Sequence, residues 1–287
     1  MRTILSALLA AVVVLAIAVG PASAAPQAPD RELTVASYNI HHGAGVDNQL
    51  DLEQIALEIE RGGADVIGLQ EVDRHFGDRS DFFDQARWLA KRLGMHVVYG
   101  ANLSLDPSEP GQLRREYGTA ILSKFPILSS RNTLLPRTGK NEQRGLLEAV
   151  INVRGVRVRF ANTHLQHNSA AERLAQSQRI AELLGEAKEP TVLVGDLNAR
   201  PDAPEMAPLF SQFEDAWTRG GEGPGYTFSA TKPDRRIDYV LVTPDVDVRS
   251  AEVLASPASD HLQVVADIAV PGSRVGNGRN KAAAAAR

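Results

Sequence analysis

Residues able to do chemistry stand at the ends of β-rich runs along this chain of 287 residues. Asn39 follows the run Leu33–Tyr38, Glu71 follows Asp65–Gln70, and His164 follows Val156–Thr163. Asp196 and Asn198 follow Thr191–Val194, Asp238 sits just inside Ile237–Val242, and Asp260-His261 precedes Gln263–Val270. Loops at the ends of core strands are where a rigid scaffold displays functional groups. Four carboxylates, two amides and two histidines, in a chain with no cysteine, form a hard, oxygen-rich donor set. Such a set suits Mg2+, Mn2+ or Ca2+. Beside a divalent cation a histidine suits hydrolysis of phosphate esters. The cation offsets charge on the phosphoryl and leaving oxygens, and the imidazole moves protons near neutral pH. Pairing with an aspartate would set the tautomer of that histidine and favour its imidazolium form. Taken singly, each residue also has a plain structural reading: Asn39 in a turn, Asn198 as a cap, Asp238 paired with Arg235 or Arg236, His164 half-buried. Their coincidence on six strand-terminal segments favours chemistry.

The elements that must position these residues follow from periodicity. Leu52, Ile55, Ala56 and Ile59 recur at helical spacing and end at Gly62-Gly63. A second helix is expected to start at an Asp81 cap, bury Phe82, Ala86, Leu89 and Leu93, and stop at Gly94. A third runs from about Ala170 to Glu186, and a short one lies near Glu205–Phe213. Short strands are expected at Tyr117–Ser123, Leu146–Val153 and Val156–Thr163. Buried central strands interleaved with helices make a layered α/β fold.

The two ends of the chain differ from the body. Residues 1–24 read as a secretory signal peptide: Arg2, an uncharged apolar run from Ile4 to Val19, then Ala22-Ser23-Ala24 as a cleavage site. The run is shorter than the ~20 residues of a membrane span, so no stable transmembrane segment is expected after processing. Residues 271–287 are glycine- and alanine-rich without apolar periodicity and read as a disordered basic tail. Residues 30–270 are then one domain. The net charge of -4 conceals its acidity, because Arg2, Arg274, Arg279, Lys281 and Arg287 all lie outside it, leaving -9. A hydrophobic content of 43% supplies a core and excludes wholesale disorder, and the absence of cysteine excludes disulfides and thiol catalysis.

The segments Tyr38-Asn39-Ile40, Leu69-Gln70-Glu71-Val72-Asp73, Tyr117–Lys124, Thr163-His164-Leu165, Gly195-Asp196-Leu197-Asn198, Arg236-Ile237-Asp238-Tyr239 and Ser259-Asp260-His261 occur in an order that resembles the endonuclease/exonuclease/phosphatase superfamily, whose fold is that of deoxyribonuclease I. The resemblance implies a four-layer α/β (α+β) sandwich, two mixed sheets face to face with helices outside. It implies Glu71 as principal ligand of a divalent metal, most simply Mg2+, with Asn39 helping to position it and Asp260 near metal and phosphate. Asp196 would orient or activate the attacking water, and Asn198 would contact the phosphoryl group. His261, held by Asp238, would be general base or stabiliser of the phosphorane. His164 is similar to a histidine of the deoxyribonuclease and sphingomyelinase branches, where it assists the leaving group or binds phosphate. Tyr117 and Arg144 are candidate phosphate contacts, with a core tyrosine and a surface ion pair to Glu142 as their alternatives. His42 either touches substrate or metal or caps its loop.

These readings lead to a monomeric, secreted, metal-dependent phosphoesterase, most simply a phosphodiesterase using direct water attack. A secreted nuclease and a sphingomyelinase- or phospholipase C-like enzyme are the alternatives, so the substrate stays open between nucleic acid and phospholipid headgroup. Arg114, Arg115, Arg131, Arg137, Lys140 and Arg144 would line a groove for nucleic acid or form a solvated face. A polar 100–116 segment and only 5% aromatic residues count against a membrane-docking hairpin. A non-catalytic binding module or toxin subunit on the same scaffold is the reading from a different class.

Overall fold

A computed structural model describes residues 28–185 and 188–272. The expected signal peptide lies outside the described residues, as does the expected tail beyond residue 272. The chain opens with β1 (Arg31–Asn39), α1 (Leu52–Gly62), β2 (Val66–Arg74), α2 (Gln85–Leu93), β3 (His96–Leu105) and β4 (Arg115–Ser123). It continues through β5 (Ile127–Leu134), β6 (Gly145–Val153), β7 (Val156–His164), α3 (Ala170–Gly185) and β8 (Thr191–Asp196). Short elements follow, α4 (Ala207–Phe210), β9 (Glu214–Asp215) and α5 (Ala216–Gly220), then β10 (Asp238–Val242), β11 (Asp247–Leu254) and β12 (Gln263–Val270). Two six-stranded sheets result, ordered β11-β12-β1-β2-β4-β3 and β5-β6-β7-β8-β10-β9.

Strand periodicity makes the layers. In β1, Leu33 and Val35 face the other sheet, while Ala36 and Tyr38 pack under α1 and α2. In β8, Val192 and Val194 join the inter-sheet core, and Leu193 packs with Ile180 and Leu184 of α3 and Leu209 of α4. Both faces of each central strand are therefore covered, which is why these strands read as continuous apolar runs. The architecture is helix, sheet, sheet, helix, as the sequence implies.

Asp51 caps α1 by accepting from the Gln54 amide at 2.9 Å, and Gly63 closes it at φ 66°. The start of α2 differs from expectation. Asp84, not Asp81, is the cap, accepting from the Arg87 amide at 3.0 Å, and Phe82 is 39% exposed rather than buried. Residues 78–80 form a 3-10 turn, and His75 bonds back to the carbonyls of Phe82 and Phe83, so the loop closes on itself before the helix begins.

The sheets are registered against each other by a buried amide. Asn162 of β7 donates to the carbonyls of Leu69 and Ala120 in the opposite sheet, both at 2.8 Å, and accepts from Gln70 Nε2 at 2.7 Å. Space for it exists because residue 68 is glycine: a Cβ there would stand 2.8 Å from Asn162 Cγ and 2.4 Å from Val194 Cγ2. Asn162→Ala removes three buried hydrogen bonds and strands their partners, so it should destabilise the fold by about 3 kcal/mol in chemical denaturation. Ser129→Ala, on an exposed edge strand, should stay within about 0.5 kcal/mol of the parent.

Candidate active site

The chemistry-bearing residues converge on one rim of the sandwich because parallel pairs end there together. In the first sheet β1 runs parallel to β2, and in the second β7 runs parallel to β8, with His164 beside Asp196. Antiparallel β10 then brings Asp238 to the other side of Asp196. The segment before β12 is tied to the end of β1 by Ser259, whose hydroxyl donates to the Asn39 carbonyl at 2.7 Å and accepts from the His261 amide at 3.2 Å.

Glu71 lies in β2 at φ 57°, where the register with β4 shifts between Leu69 and Val72. A bulge with a left-handed non-glycine residue is costly, and such cost concentrates at functional positions. The bulge turns the Glu71 carboxylate into a cavity of about 410 Å3 that is also lined by Tyr117, Arg144, His164, Asp196, Asn198 and His261. Asn39 Nδ2 donates to Glu71 Oε1 and to Asp196 Oδ2, each at 3.1 Å, while its Oδ1 accepts from the His41 amide at 3.0 Å. Asn39 thus links the carboxylates of the two sheets with its amino group. Its amino group positions Glu71, and its oxygen accepts from the main chain.

The two histidines face Asp196 in different electrostatic settings. His261 Nδ1 donates to Asp238 Oδ2 at 3.0 Å, and its Nε2 lies 3.7 Å from Asp196 Oδ2. Burial opposes charge on this ring, but Asp238 and Asp196 outweigh it and push its pKa up to about 10. His164 lies on the other side, Nε2 3.4 Å from the same Asp196 oxygen. Its Nδ1 is 3.0 Å from Arg144 Nη1, a group that only donates, so the ring proton sits on Nε2. Burial, with Arg144 and His261 adding to it, lowers the His164 pKa well below the usual range. One imidazolium and one neutral imidazole therefore share a carboxylate. Burial and then the Asp238 charge push Asp196 itself up to about 7.

Asp196 Oδ1 accepts from the Asn198 amide at 2.9 Å, and Asn198 Nδ2 donates to the Leu165 carbonyl at 3.1 Å, holding a side chain that lines the cavity at φ 50°. Arg144 is not the surface residue of its alternative reading. It is 3% exposed and tied to Glu142 Oε1 at 2.6 Å. Tyr117 keeps its phenol proton, since burial and then Glu71 raise its pKa well above normal.

Four expected residues stand outside the cavity lining: Asn39 and Asp238 lie behind it, bonded to lining residues, and Asp260 and His42 lie apart from it. Asp260 has a side chain 37% exposed, 3.9 Å from His41 Nδ1. His42, at φ 45°, contributes its carbonyl to Gln85 Nε2 at 2.6 Å, and burial followed by the Arg79 charge lowers its ring pKa to about 4. Of the basic residues between 114 and 144, Arg144 lines this cavity, Arg131 lines a separate one beside Glu148, and Arg114 pairs with Asp106. Phe76, Arg79, Leu103, His167, Phe228, Arg235 and Ile237 line the cavity without having been singled out for it. They sit in loops or on strand faces whose sequences carry no spacing signal.

The donor chemistry fits a hard cation. Glu71 lines the cavity bonded by Asn39 and makes no salt bridge among the described residues, whereas Glu142 is neutralised by Arg144. Asp196, Asp238 and His261 form a buried group whose ligand atoms all lie within 4.8 Å of one another, and Asp238 Oδ1 has no hydrogen-bond partner. Glu71 and the Asp196–Asp238–His261 group are thus the donors that would hold a divalent cation.

Among proteins of known sequence, the chain is 30% identical over 172 residues to Protein cwh43 of Schizosaccharomyces pombe, a match covering 59% of this chain and 17% of that relative. Among solved structures, an endonuclease/exonuclease/phosphatase from Beutenbergia cavernae superposes with a TM-score of 0.74 at 29% identity, covering 86% of this chain and 73% of that one. A mannosyl-6-phosphatase from Bacteroides thetaiotaomicron shares the fold with a TM-score of 0.64 at 20% identity, covering 82% and 99%. The human Nocturnin catalytic domain, solved with a bound sulfate anion, does so with a TM-score of 0.62 at 24% identity, covering 83% and 94%. The family model described as the Endonuclease/Exonuclease/phosphatase family matches residues 36–261, from the interior of β1 to His261. A match of that extent takes in every strand end at this rim, and the chain belongs to the endonuclease/exonuclease/phosphatase family.

Proposed function

We propose that this chain is a secreted, divalent-metal-dependent phosphoesterase that hydrolyses phosphodiesters by direct attack of water. The observation that carries the reading is the pair of histidines, one charged and one neutral, on one buried carboxylate in the cavity that Glu71 enters. A cation bound at Glu71 would neutralise charge on the phosphoryl and leaving oxygens. The chain's own groups do the rest. Asp196, poised near neutrality, takes the proton of the attacking water. Imidazolium His261, held by Asp238, donates from Nε2 to the phosphoryl oxygens as charge builds on them. Neutral His164 presents Nε2–H and Asn198 its amide to the same group or to the departing oxygen. This assignment makes His261 the stabiliser of the pentavalent species and Asp196 the base. The apolar run at 4–19 with its following Ala-Ser-Ala supports export, and among the described residues no helix is long and apolar enough to cross a membrane.

Replacing Glu71 or His261 by alanine should lower metal-stimulated hydrolysis of an activated aryl phosphodiester by about 1,000-fold, within the range for electrostatic groups at a reacting centre. Near-parental turnover by folded His261→Ala would refute the assignment. A panel of plasmid DNA, RNA, sphingomyelin, phosphatidylinositol and phosphomonoesters with Mg2+, Mn2+ or Ca2+ then separates nuclease, lipid phosphodiesterase and phosphatase.

The Asp238–His261 pair also has a pH signature, read in EDTA-treated protein. Its ring nitrogens should report imidazolium until about pH 10 by NMR, and Asp238→Asn should bring the titration down toward the ordinary histidine range. A histidine whose folded pKa is raised stabilises fully below its unfolded pKa. That contribution fades as pH climbs to the folded value. The stability gap between parent and Asp238→Asn should therefore narrow between about pH 6.5 and pH 10.

A further inference from the structure

We infer that Arg79 is a substrate-binding residue that recognises an anionic group on the substrate other than the reacting phosphoryl. Arg79 stands in the loop between β2 and α2, on the cavity wall made by Phe76, Leu103 and Tyr117. Its Nε and Nη2 donate to the two oxygens of Asp73 at 2.8 and 2.7 Å, a bidentate pair with a carboxylate that is 0% exposed. The Asp73 segment is itself fixed, since the Asp73 amide donates to Gln85 Oε1 at 2.9 Å. The guanidinium lies over the Phe76 ring at 4.2 Å and 5.5 Å from the Tyr117 ring centroid. Edge and face are thereby both held, and Nη1 is left without a hydrogen-bond partner among the described residues. The cavity's carboxylates do not take it: Glu142 is paired with Arg144, and Glu71 makes no salt bridge.

A guanidinium held rigid with one amino edge unspent is a preorganised anion donor, because little side-chain freedom is lost when it binds. Its position decides which anion. The side chains assigned to contact the reacting phosphoryl, His164, Asn198 and His261, come from the second sheet and the segment before β12, while Glu71, which would hold the cation, comes from the first sheet. Arg79 comes from the loop that follows β2 of the first sheet and stands among rings and a leucine suited to the organic part of an ester. An anion met there is carried by the organic part: a second phosphate or a carboxylate on the alcohol portion. The inference rests on the phosphoesterase reading for its reaction but not for its binding test.

The variant to use is Arg79→Lys, which keeps a cation against buried Asp73 but has no second donor edge to offer. The substrates are two aryl phosphodiesters that differ only by a carboxylate on the leaving phenol. We expect Arg79→Lys to lower kcat/KM about 10- to 100-fold for the ester with the carboxylate, chiefly through KM, and less than about threefold for its twin without it. Equal losses on both would place Arg79 on the reacting phosphoryl and overturn the inference, as would no loss on either. Calorimetry on EDTA-treated protein with inorganic pyrophosphate and phosphate gives a second readout. Arg79→Lys should weaken pyrophosphate by a similar factor and leave phosphate unchanged, and an unchanged pyrophosphate affinity refutes the proposal. Should the parent hydrolyse neither ester while the pyrophosphate difference holds, the reaction assignment fails and the anion site stands. The double variant Asp73→Asn/Arg79→Met, in which no buried charge is orphaned, repeats both measurements should the lysine variant fold poorly.

Discussion

Glu71 and Asp196 belong to different sheets, and the site exists only while those sheets keep one relative register. Apolar packing between sheets is non-directional and tolerates sliding. A buried amide does not, because each unsatisfied hydrogen bond in the core costs more than a misplaced methyl. Asn162 supplies that constraint one strand position behind the rim, bonded to Leu69 and Ala120 across the gap and to Gln70 beside Glu71. Asn39 repeats the device at the rim itself, with one amino group on both carboxylates. The catalytic geometry is thus a consequence of two polar staples in an otherwise apolar sandwich.

Within that frame, a single buried acid separates two identical ring chemistries. His164 and His261 both approach Asp196 Oδ2, and what differs is the partner on the other ring nitrogen: a guanidinium for one, a carboxylate for the other. The result is a neutral donor and a charged donor a few ångströms apart, which neither burial nor Asp196 alone would produce. Pairs of titratable groups driven apart by their surroundings mark acid and base assignments. On the reading proposed above, the surroundings would reserve the proton for His261 and leave Asp196 as the acceptor.

The parts legible in the sequence were those with dense local signal. Central strands such as β8, buried on both faces, announce themselves as apolar runs, and helix α1 carries its cap, period and stop glycine within thirteen residues, 51–63. The strands that went unread, β3, β5, β9 and β11, all lie at sheet edges. Arg131 in β5 and Asp247, Arg249 and Glu252 in β11 are the charges by which edge strands discourage association, and they interrupt the apolar pattern. In the site, the residues at ends of core strands were visible because their types are out of place there. Arg79 was not, because its role depends on a 3-10 turn folding back onto Asp73 across six residues of loop. Asn162 and Gly68 were invisible for a related reason: a close approach between sheets has no local signature in either strand.

The acidity of the body acquires a physical meaning from these pairings. Of the cations at the cavity, Arg144 is held by Glu142, His261 by Asp238 and Arg79 by Asp73, so each positive group arrives with an acid that fixes it. Such pairs contribute little net field, but they orient donors without leaving a bare cation in a low-dielectric wall. Rigid donors of near-zero net charge discriminate by geometry rather than by bulk attraction. Glu71, which makes no salt bridge among the described residues, is then a place where net charge is left over. On the phosphoesterase reading, a cation bound at Glu71 would meet that charge, so affinity for an anionic ester would rise with occupancy of that single carboxylate.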